Sequence, residues 1–218
     1  MKQLVPLLLL ASLPAMAQFK FGVKAGVNAS SAIYRPKGAI NNHGITAWQT
    51  GAFAQFGLGK SILLKAGLLL NQKGNYADNA EHAVDYYQKL TYRLTYLEAD
   101  LAIAFKIKMS RHFSFNIGAG PYLGRGIYGR EKGYEYNFGA IGSINRKVIF
   151  SDSQKPTVSQ STFKQYDYGL NVNATVQYRK YFLYANFQRG LSDRVISDLA
   201  GWNSQNQVFT AGLGYYFK

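Results

Sequence analysis

The chain has 218 residues, is 47% hydrophobic and 15% aromatic, and carries 22 glycines and no cysteine. The apolar content excludes a disordered chain, and the lack of thiols excludes a disulfide scaffold, a cysteine-ligated zinc site and a lipid-anchored lipoprotein. Lys plus Arg is 25 against 11 Asp plus Glu, a net charge of +14 that invites a nucleic-acid reading; the residue pattern assigns that charge elsewhere.

Residues 1–17 read as a secretory signal peptide. Lys2 supplies a basic start, Leu4 to Leu13 is an apolar run broken by Pro6 and Ser12, and Ala15-Met16-Ala17 is a small-x-small cleavage site. Residues 18–218 then form the exported domain. No later stretch offers 18 uninterrupted apolar residues, so no transmembrane helix is expected. Export also argues against a nucleic-acid partner.

From Phe19 the sequence alternates with period two, the signature of strands. Phe19, Phe21, Val23, Ala25, Val27 and Ala29 share one face of the first segment. Further segments follow the same rule: Trp48 to Leu58, Ile62 to Asn71, Thr95 to Ile107, Phe113 to Gly124, Asp167 to Tyr178, Tyr181 to Gln188 and Val208 to Phe217. In each, one face is apolar and free of Asp, Glu, Lys and Arg. The opposite faces are rich in Gly, Asn and Gln and carry seven charges: Lys20, Lys24, Lys65, Glu98, Asp100, Lys106 and Asp167. A soluble barrel needs charge on roughly a quarter to a third of its outer positions, more than these faces hold. The uncharged faces suit lipid, where Lys or Arg at the midplane costs about 2–4 kcal/mol, and the polar faces suit a lumen. The segment lengths match the roughly 9–11 residues of a tilted spanning strand. The expected fold is all-β, an eight-stranded antiparallel up-and-down transmembrane β-barrel in the cell outer membrane.

Connections alternate in length. Gly59-Lys60, Lys108 to Arg111 and Arg179-Lys180 are short; Ser31 to Thr46, Gln72 to Leu94, Arg125 to Tyr166 and Arg189 to Gln207 are expected to be long loops, punctuated by residues such as Gly129 and Gly133. Short periplasmic turns and long outer loops are the membrane-barrel rule, which places both termini in the periplasm. The third loop is long enough to hold structure of its own or to fold over the barrel mouth. Aromatics gather at strand ends as interfacial girdles: Tyr178, Tyr181, Tyr215 and Phe217 at the short turns, with Phe19, Phe21 and Phe113, and Trp48, Tyr168 and Phe209 at the long loops, with Trp202.

Four motifs carry a resemblance: Phe21-Gly22-Val23-Lys24-Ala25-Gly26, Leu70-Asn71-Gln72-Lys73-Gly74, Tyr96-Leu97-Glu98 and Gly118-Ala119-Gly120-Pro121-Tyr122. In this order they resemble the Gram-negative outer-membrane β-barrel domain family that includes PorT-like proteins. Where that family usually continues Tyr-Leu-Glu-Ile-Pro, this chain reads Ala99-Asp100. The resemblance implies an eight-stranded outer-membrane barrel without catalytic residues, with protein secretion implicated for the PorT branch.

An eight-stranded barrel is just wide enough for its side chains to fill. Lys24, Lys65, Glu98, Asp100 and Asp167 lie on the inward faces and are expected to form a charge network, with Lys24 or Lys65 paired to Glu98 or Asp100, because an unpaired buried charge is costly. Three decoys are set aside. Ala54 to Ser61 reads A-x-x-x-x-G-K-S, close to a P-loop, but Ile62 to Leu70 continues as a strand where a helix is required. His112 lies beside a short turn, away from His43 and His82, so no three-histidine metal site is expected. No nucleophile motif supports a hydrolase. The expected function is a non-enzymatic structural or interaction barrel, with a protein-secretion accessory as one form of it and no cofactor. An outer-leaflet lipid-modifying enzyme resembling a lipid A deacylase, and a small channel or ligand-binding barrel, stay open as alternatives. The expected partners are outer-membrane lipids, including lipopolysaccharide phosphates, and proteins at the outer loops or periplasmic turns.

Overall fold

The computed structural model describes residues 19–35, 41–78, 86–153, 161–195 and 203–217. The signal-peptide residues, His82 and Trp202 lie outside them. Eight strands are long: β1 (Phe19–Arg35), β3 (Ile45–Gly57), β4 (Ile62–Asp78), β5 (Tyr86–Lys108), β6 (Phe113–Asn137), β10 (Tyr166–Tyr178), β11 (Tyr181–Gly190) and β12 (Asn203–Tyr216). Four more are short: β2 (Asn41–His43), β7 (Ala140–Lys147), β8 (Ile149–Phe150) and β9 (Thr162–Phe163).

The eight long strands form a closed antiparallel ring. The order runs β10-β11-β12-β1-β3-β4-β5-β6, and the β6–β10 pairing closes it. Closure leaves no open edge, so every backbone polar group of the ring can be satisfied without water, the condition for spanning lipid. The apolar parity faces outward: Val27, Leu68, Ile103, Ile117, Val172, Leu183 and Leu213 are all exposed on the barrel surface. The polar parity faces inward: Asn28, Gln49, Asn71, Asn116, Asn171, Gln188 and Thr210 are buried. One residue departs. Thr95 shares the outward parity of β5 yet is buried, directly across from Tyr128, where the β5–β6 register shifts.

The predicted long loops are largely strand. β4 and β5 stay paired to Asp78 and Lys89, and β5 and β6 to Tyr86 and Asn137, so Gly129 and Gly133 lie inside β6 rather than in a loop. Alternation with an uncharged face ends where lipid ends. Above that level the outward residues become Arg93, Arg130 and Lys132, and strand pairing no longer leaves an apolar stripe. Pairs β6–β7 and β8–β9 fill the third connection, which has structure of its own. At the other end three tight turns join the strands. Gly59 has φ +114°, a left-handed conformation that glycine adopts without strain, and Arg179 has φ +53°.

Candidate functional site: a side-chain-filled lumen between two charged rims

The inward parity of eight strands meets on the barrel axis and fills it in layers. Nearest the tight turns, Phe53, Phe182 and Tyr216 pack edge to face and tilted at 5.0–5.3 Å, with Tyr184 beside them. The Tyr216 hydroxyl donates to Gln55 Oε1 (3.0 Å) and that of Tyr184 to Gln49 Oε1 (3.2 Å). Glycines on facing strands make room for these rings. A Cβ on Gly214 would lie 2.1 Å from Phe182 Cζ, and one on Gly212 would lie 2.6 Å from Tyr184 Cε1.

The middle layer holds two of the predicted cations. Lys24 Nζ lies 3.3 Å from Asp100 Oδ2 and over the Tyr184 ring. Lys65 instead donates to three neutral acceptors, Asn116 Oδ1, Asn173 Oδ1 (3.1 Å) and Thr175 Oγ1 (3.3 Å). A cavity of about 50 Å³ sits between them, room for one or two waters.

The layer above is a buried ion triad that sequence reasoning missed. Lys73 Nζ lies 2.8 Å from Glu98 Oε2 and 2.9 Å from Asp167 Oδ2, with its side chain and that of Glu98 fully buried. Its ammonium stands 4.1 Å from the Tyr122 ring centroid. Glu98 also accepts from Asn71 Nδ2 (3.0 Å) and Gln188 Nε2, and Asp167 from Ser192 Oγ (3.1 Å) and the Tyr122 hydroxyl (3.4 Å). Asn28 links this layer across the axis, donating to Asn71 Oδ1 and accepting from Thr210, both at 2.8 Å. The structure thus splits the predicted charge set: Lys24 with Asp100, Glu98 with Asp167 through Lys73, and Lys65 on neutral oxygens.

A cap closes the long-loop end. Leu94, Tyr96, Val148 and Phe163 form a buried apolar cluster with Tyr92, Phe150 and Val195 packed against it. Arg194, itself buried, donates Nη2 to the Tyr34 hydroxyl (3.0 Å) and lies over the Phe163 ring. Glu131 beneath the β7 hairpin binds Arg146 and Ser161. Burial under the cap pushes the Tyr92 phenol up to about 12, and the nearby Glu131 adds to it.

Both rims carry cations. At the tight-turn end, two adjoining clefts of about 670 and 550 Å³ share Lys20, Lys106 and Lys108; Arg111, Arg179 and Lys180 complete one and Lys60 the other, and no carboxylate lines either. His112 belongs to this end, whereas His43 lies against Tyr76 at the opposite end, so the two do not converge. Among the described residues no group of three metal-ligating side chains exists. The P-loop-like Gly59-Lys60-Ser61 is a turn into β4, with no helix behind it. The girdle aromatics are outward: Trp48, Tyr168, Tyr178, Tyr181 and Phe217 are exposed, and Tyr215 packs between Tyr181 (5.2 Å) and Phe217 (5.5 Å).

Solved outer-membrane proteins align with the chain at low identity. OprG from Pseudomonas aeruginosa matches at 12% identity over 91% of this chain and 94% of its own, with a TM-score of 0.46. Neisserial surface protein A matches at 12% identity over 89% and 96%, TM-score 0.42. Ail, the attachment invasion locus protein of Yersinia pestis, matches at 12% identity over 91% and 98%, TM-score 0.40. No curated protein matches significantly. The family described as outer membrane protein beta-barrel domain matches residues 12–195, and with a closed, lipid-faced ring of eight strands beneath that match, this chain belongs to that family and is an integral outer-membrane barrel.

Proposed function

We propose that this protein is a non-enzymatic interaction barrel, a sealed membrane anchor whose binding is done at its rims, with the tight turns and both termini in the periplasm. The basic vestibule at the tight-turn end carries this reading. Lys20, Lys60, Lys106, Lys108, Arg111, Arg179 and Lys180 crowd its clefts with no lining carboxylate to neutralise them. Like charges held in a concave, low-dielectric mouth focus a positive potential that favours an acidic partner. The fitting occupant is an acidic segment of a periplasmic protein, which agrees with the secretion-accessory role implied by the PorT resemblance. The layered lumen supports the non-conducting half of the proposal, because ions would have to displace the Lys73 triad and the aromatic layer.

Photo-crosslinking from positions 60 and 180 in cells tests it. The expected result is a discrete protein adduct from the turn end, lost in the Lys106→Glu/Arg111→Glu/Arg179→Glu variant and retained in Arg93→Glu. Adducts only to lipid, or an adduct indifferent to the charge reversals, would overturn the proposal. In planar bilayers the purified barrel is expected to show no steady conductance; a stable ohmic channel would refute the sealed lumen.

A further inference from the structure

The outer surface above the apolar band carries a second basic site, unconnected with the lumen. On four of the eight strands the first outward charge met toward the long-loop end is an arginine: Arg35 on β1, Arg93 on β5, Arg125 on β6 and Arg189 on β11. Two of them are held by neutral oxygens. Arg93 Nη1 donates to the Thr46 carbonyl (2.8 Å) and Gln72 Oε1 (3.4 Å), and Arg189 donates to Gln207 (3.2 Å) and Gln205 (3.4 Å). Their side chains are thereby oriented while their charge stays uncompensated.

Between β4, β5 and β6 this pattern becomes a groove of about 420 Å³, lined by Gln72, Thr91, Arg93, Tyr128, Arg130 and Lys132. Arg93 and Arg130 are direct cross-strand partners, and Lys132 is paired with Thr91 on the diagonal from Arg93. Like charges directly opposite on one sheet face repel. No carboxylate lines the groove, and none of the three cations belongs to an ion pair among the described residues. An anion seated between the two guanidiniums would convert that repulsion into a fork on each side, the geometry that arginine offers to phosphate.

Height selects the source of the anion. Tyr128, paired with Thr95, is an exposed outward aromatic, and Arg93–Arg130 is the next outward pair above it. Two residues of a strand tilted about 40° rise about 5 Å along the membrane normal. The headgroup layer outside the hydrocarbon is about 5–7 Å thick on each side. Gln72 and Thr91 add neutral hydrogen-bonding groups, and Tyr128 offers a flat apolar face at the lower lip.

We infer that the Arg93–Arg130–Lys132 groove binds the phosphate of a phosphorylated glycolipid headgroup in the outer leaflet. The outer-leaflet assignment rests on the orientation proposed above; phosphate recognition by the groove does not. The experiment therefore uses the purified full barrel in detergent, where orientation plays no part, and titrates it by native mass spectrometry with diphosphorylated lipid A, its phosphate-free counterpart and inorganic phosphate. The diphosphorylated lipid is expected to bind at least tenfold more tightly than the phosphate-free one. Arg93→Gln/Arg130→Gln is expected to bring the two within about twofold, and Arg130→Gln alone to fall between. Without lipid the double variant is expected to be at least as heat-resistant as the parent, because repulsion is removed; with diphosphorylated lipid the parent becomes the more resistant. A merely structural role for the arginines would give no such reversal. Equal binding of both lipids, a double variant that keeps the preference, or displacement by millimolar inorganic phosphate would overturn the assignment, the last by making soluble phosphate the ligand. Surface protease mapping in cells tests orientation separately, so failure of that reading is distinguishable from failure of the site.

Discussion

Replacing Lys73 with methionine removes the single cation shared by Glu98 and Asp167, and the structure sets the size of the effect. Lys73 and Glu98 are fully buried, and the Asp167 side chain is 4% exposed, so no water replaces the ammonium. Breaking one buried ion pair costs about 3–5 kcal/mol, chiefly through the charge left behind. Two carboxylates are stranded here, yet each keeps neutral donors, Asn71 and Gln188 on one and Ser192 and Tyr122 on the other. The expected loss for Lys73→Met is therefore about 3–5 kcal/mol, not twice that, or about two to three and a half decades in the unfolding equilibrium. Lys24→Met is the internal standard. Its pair with Asp100 has side chains 16% and 15% exposed, and its loss is expected at about 1–3 kcal/mol. The assay is urea unfolding of the barrel in bilayer vesicles, read by tryptophan fluorescence and by the heat-dependent gel shift of folded barrels. A Lys73→Met/Glu98→Gln/Asp167→Asn variant should recover most of the loss, since neutral groups leave no stranded charge. The reasoning fails if Lys73→Met is no worse than Lys24→Met, or if the triple variant is no better than Lys73→Met alone.

The other expectations concern the lipid face, the aromatic layer and the cap. Val172→Arg places a cation on the exposed lipid face and should cost about 2–4 kcal/mol, whereas Gln72→Arg at the upper rim should cost about 0–1 kcal/mol, both read by folding efficiency into vesicles. Gly214→Ala pushes a methyl to 2.1 Å from Phe182 and 2.6 Å from the Val23 carbonyl oxygen and should cost about 1–3 kcal/mol by overpacking, relieved only in part by Phe182→Leu in the same urea assay. Phe163→Ala should leave the ring's stability intact but speed hydrogen exchange in residues 148–153 and 161–163, because Phe163 is buried in the cap cluster. Tyr92 titrates near 12 when folded against an ordinary 10, so an opened cap releases its proton first and cap stability falls as pH rises from about 10 toward 12. Tyr92→Phe should flatten that alkaline loss, measured as cap cleavage by an alkali-tolerant protease.

The ring was legible in the sequence because lipid excludes charge. Val27, Leu68, Ile103 and Val172 mark one face by chemistry alone, and the opposite face follows from the pleat. The same criterion hid what lies beyond the lipid. Lys73 continues the inward parity of Asn71, but Leu70 is the last apolar residue of that segment, so the alternation loses its marker and Lys73 falls in an expected loop. Following inward parity two residues further would have found it. The strand extensions of β5 and β6 escape the criterion for the same reason, since Arg93 and Arg130 are exposed there. Pairings were not legible. Asp100 meets Lys24, and Phe182 meets Phe53, only after strands far apart in sequence close in one register, and a slip by one residue would turn each of these side chains outward.

The net charge of +14 resides outside the lumen, where Lys24, Lys65 and Lys73 match the three carboxylates in number. Glu98, Asp100 and Asp167 are turned into the lumen and Glu131 beneath the cap, where Lys73, Lys24 and Arg146 hold them. Those carboxylates neutralise nothing outside. Of the other described cations, seven crowd the turn-end clefts with no lining carboxylate; at the long-loop end Arg93 and Arg189 stand on uncharged oxygens, while Lys89 pairs with Asp78. A barrel that needed only solubility in its rims would mix signs there. The turn end does not mix them, which gives that rim a positive field that selects anions; at the long-loop end the single-signed stretch is the Arg93–Arg130–Lys132 groove alone. Exchanging the signs at one rim, as in Lys106→Glu/Arg111→Glu/Arg179→Glu, should therefore abolish binding at that rim and leave the other untouched, because about 8 Å of screening length separates their fields across a hydrocarbon span of about 30 Å.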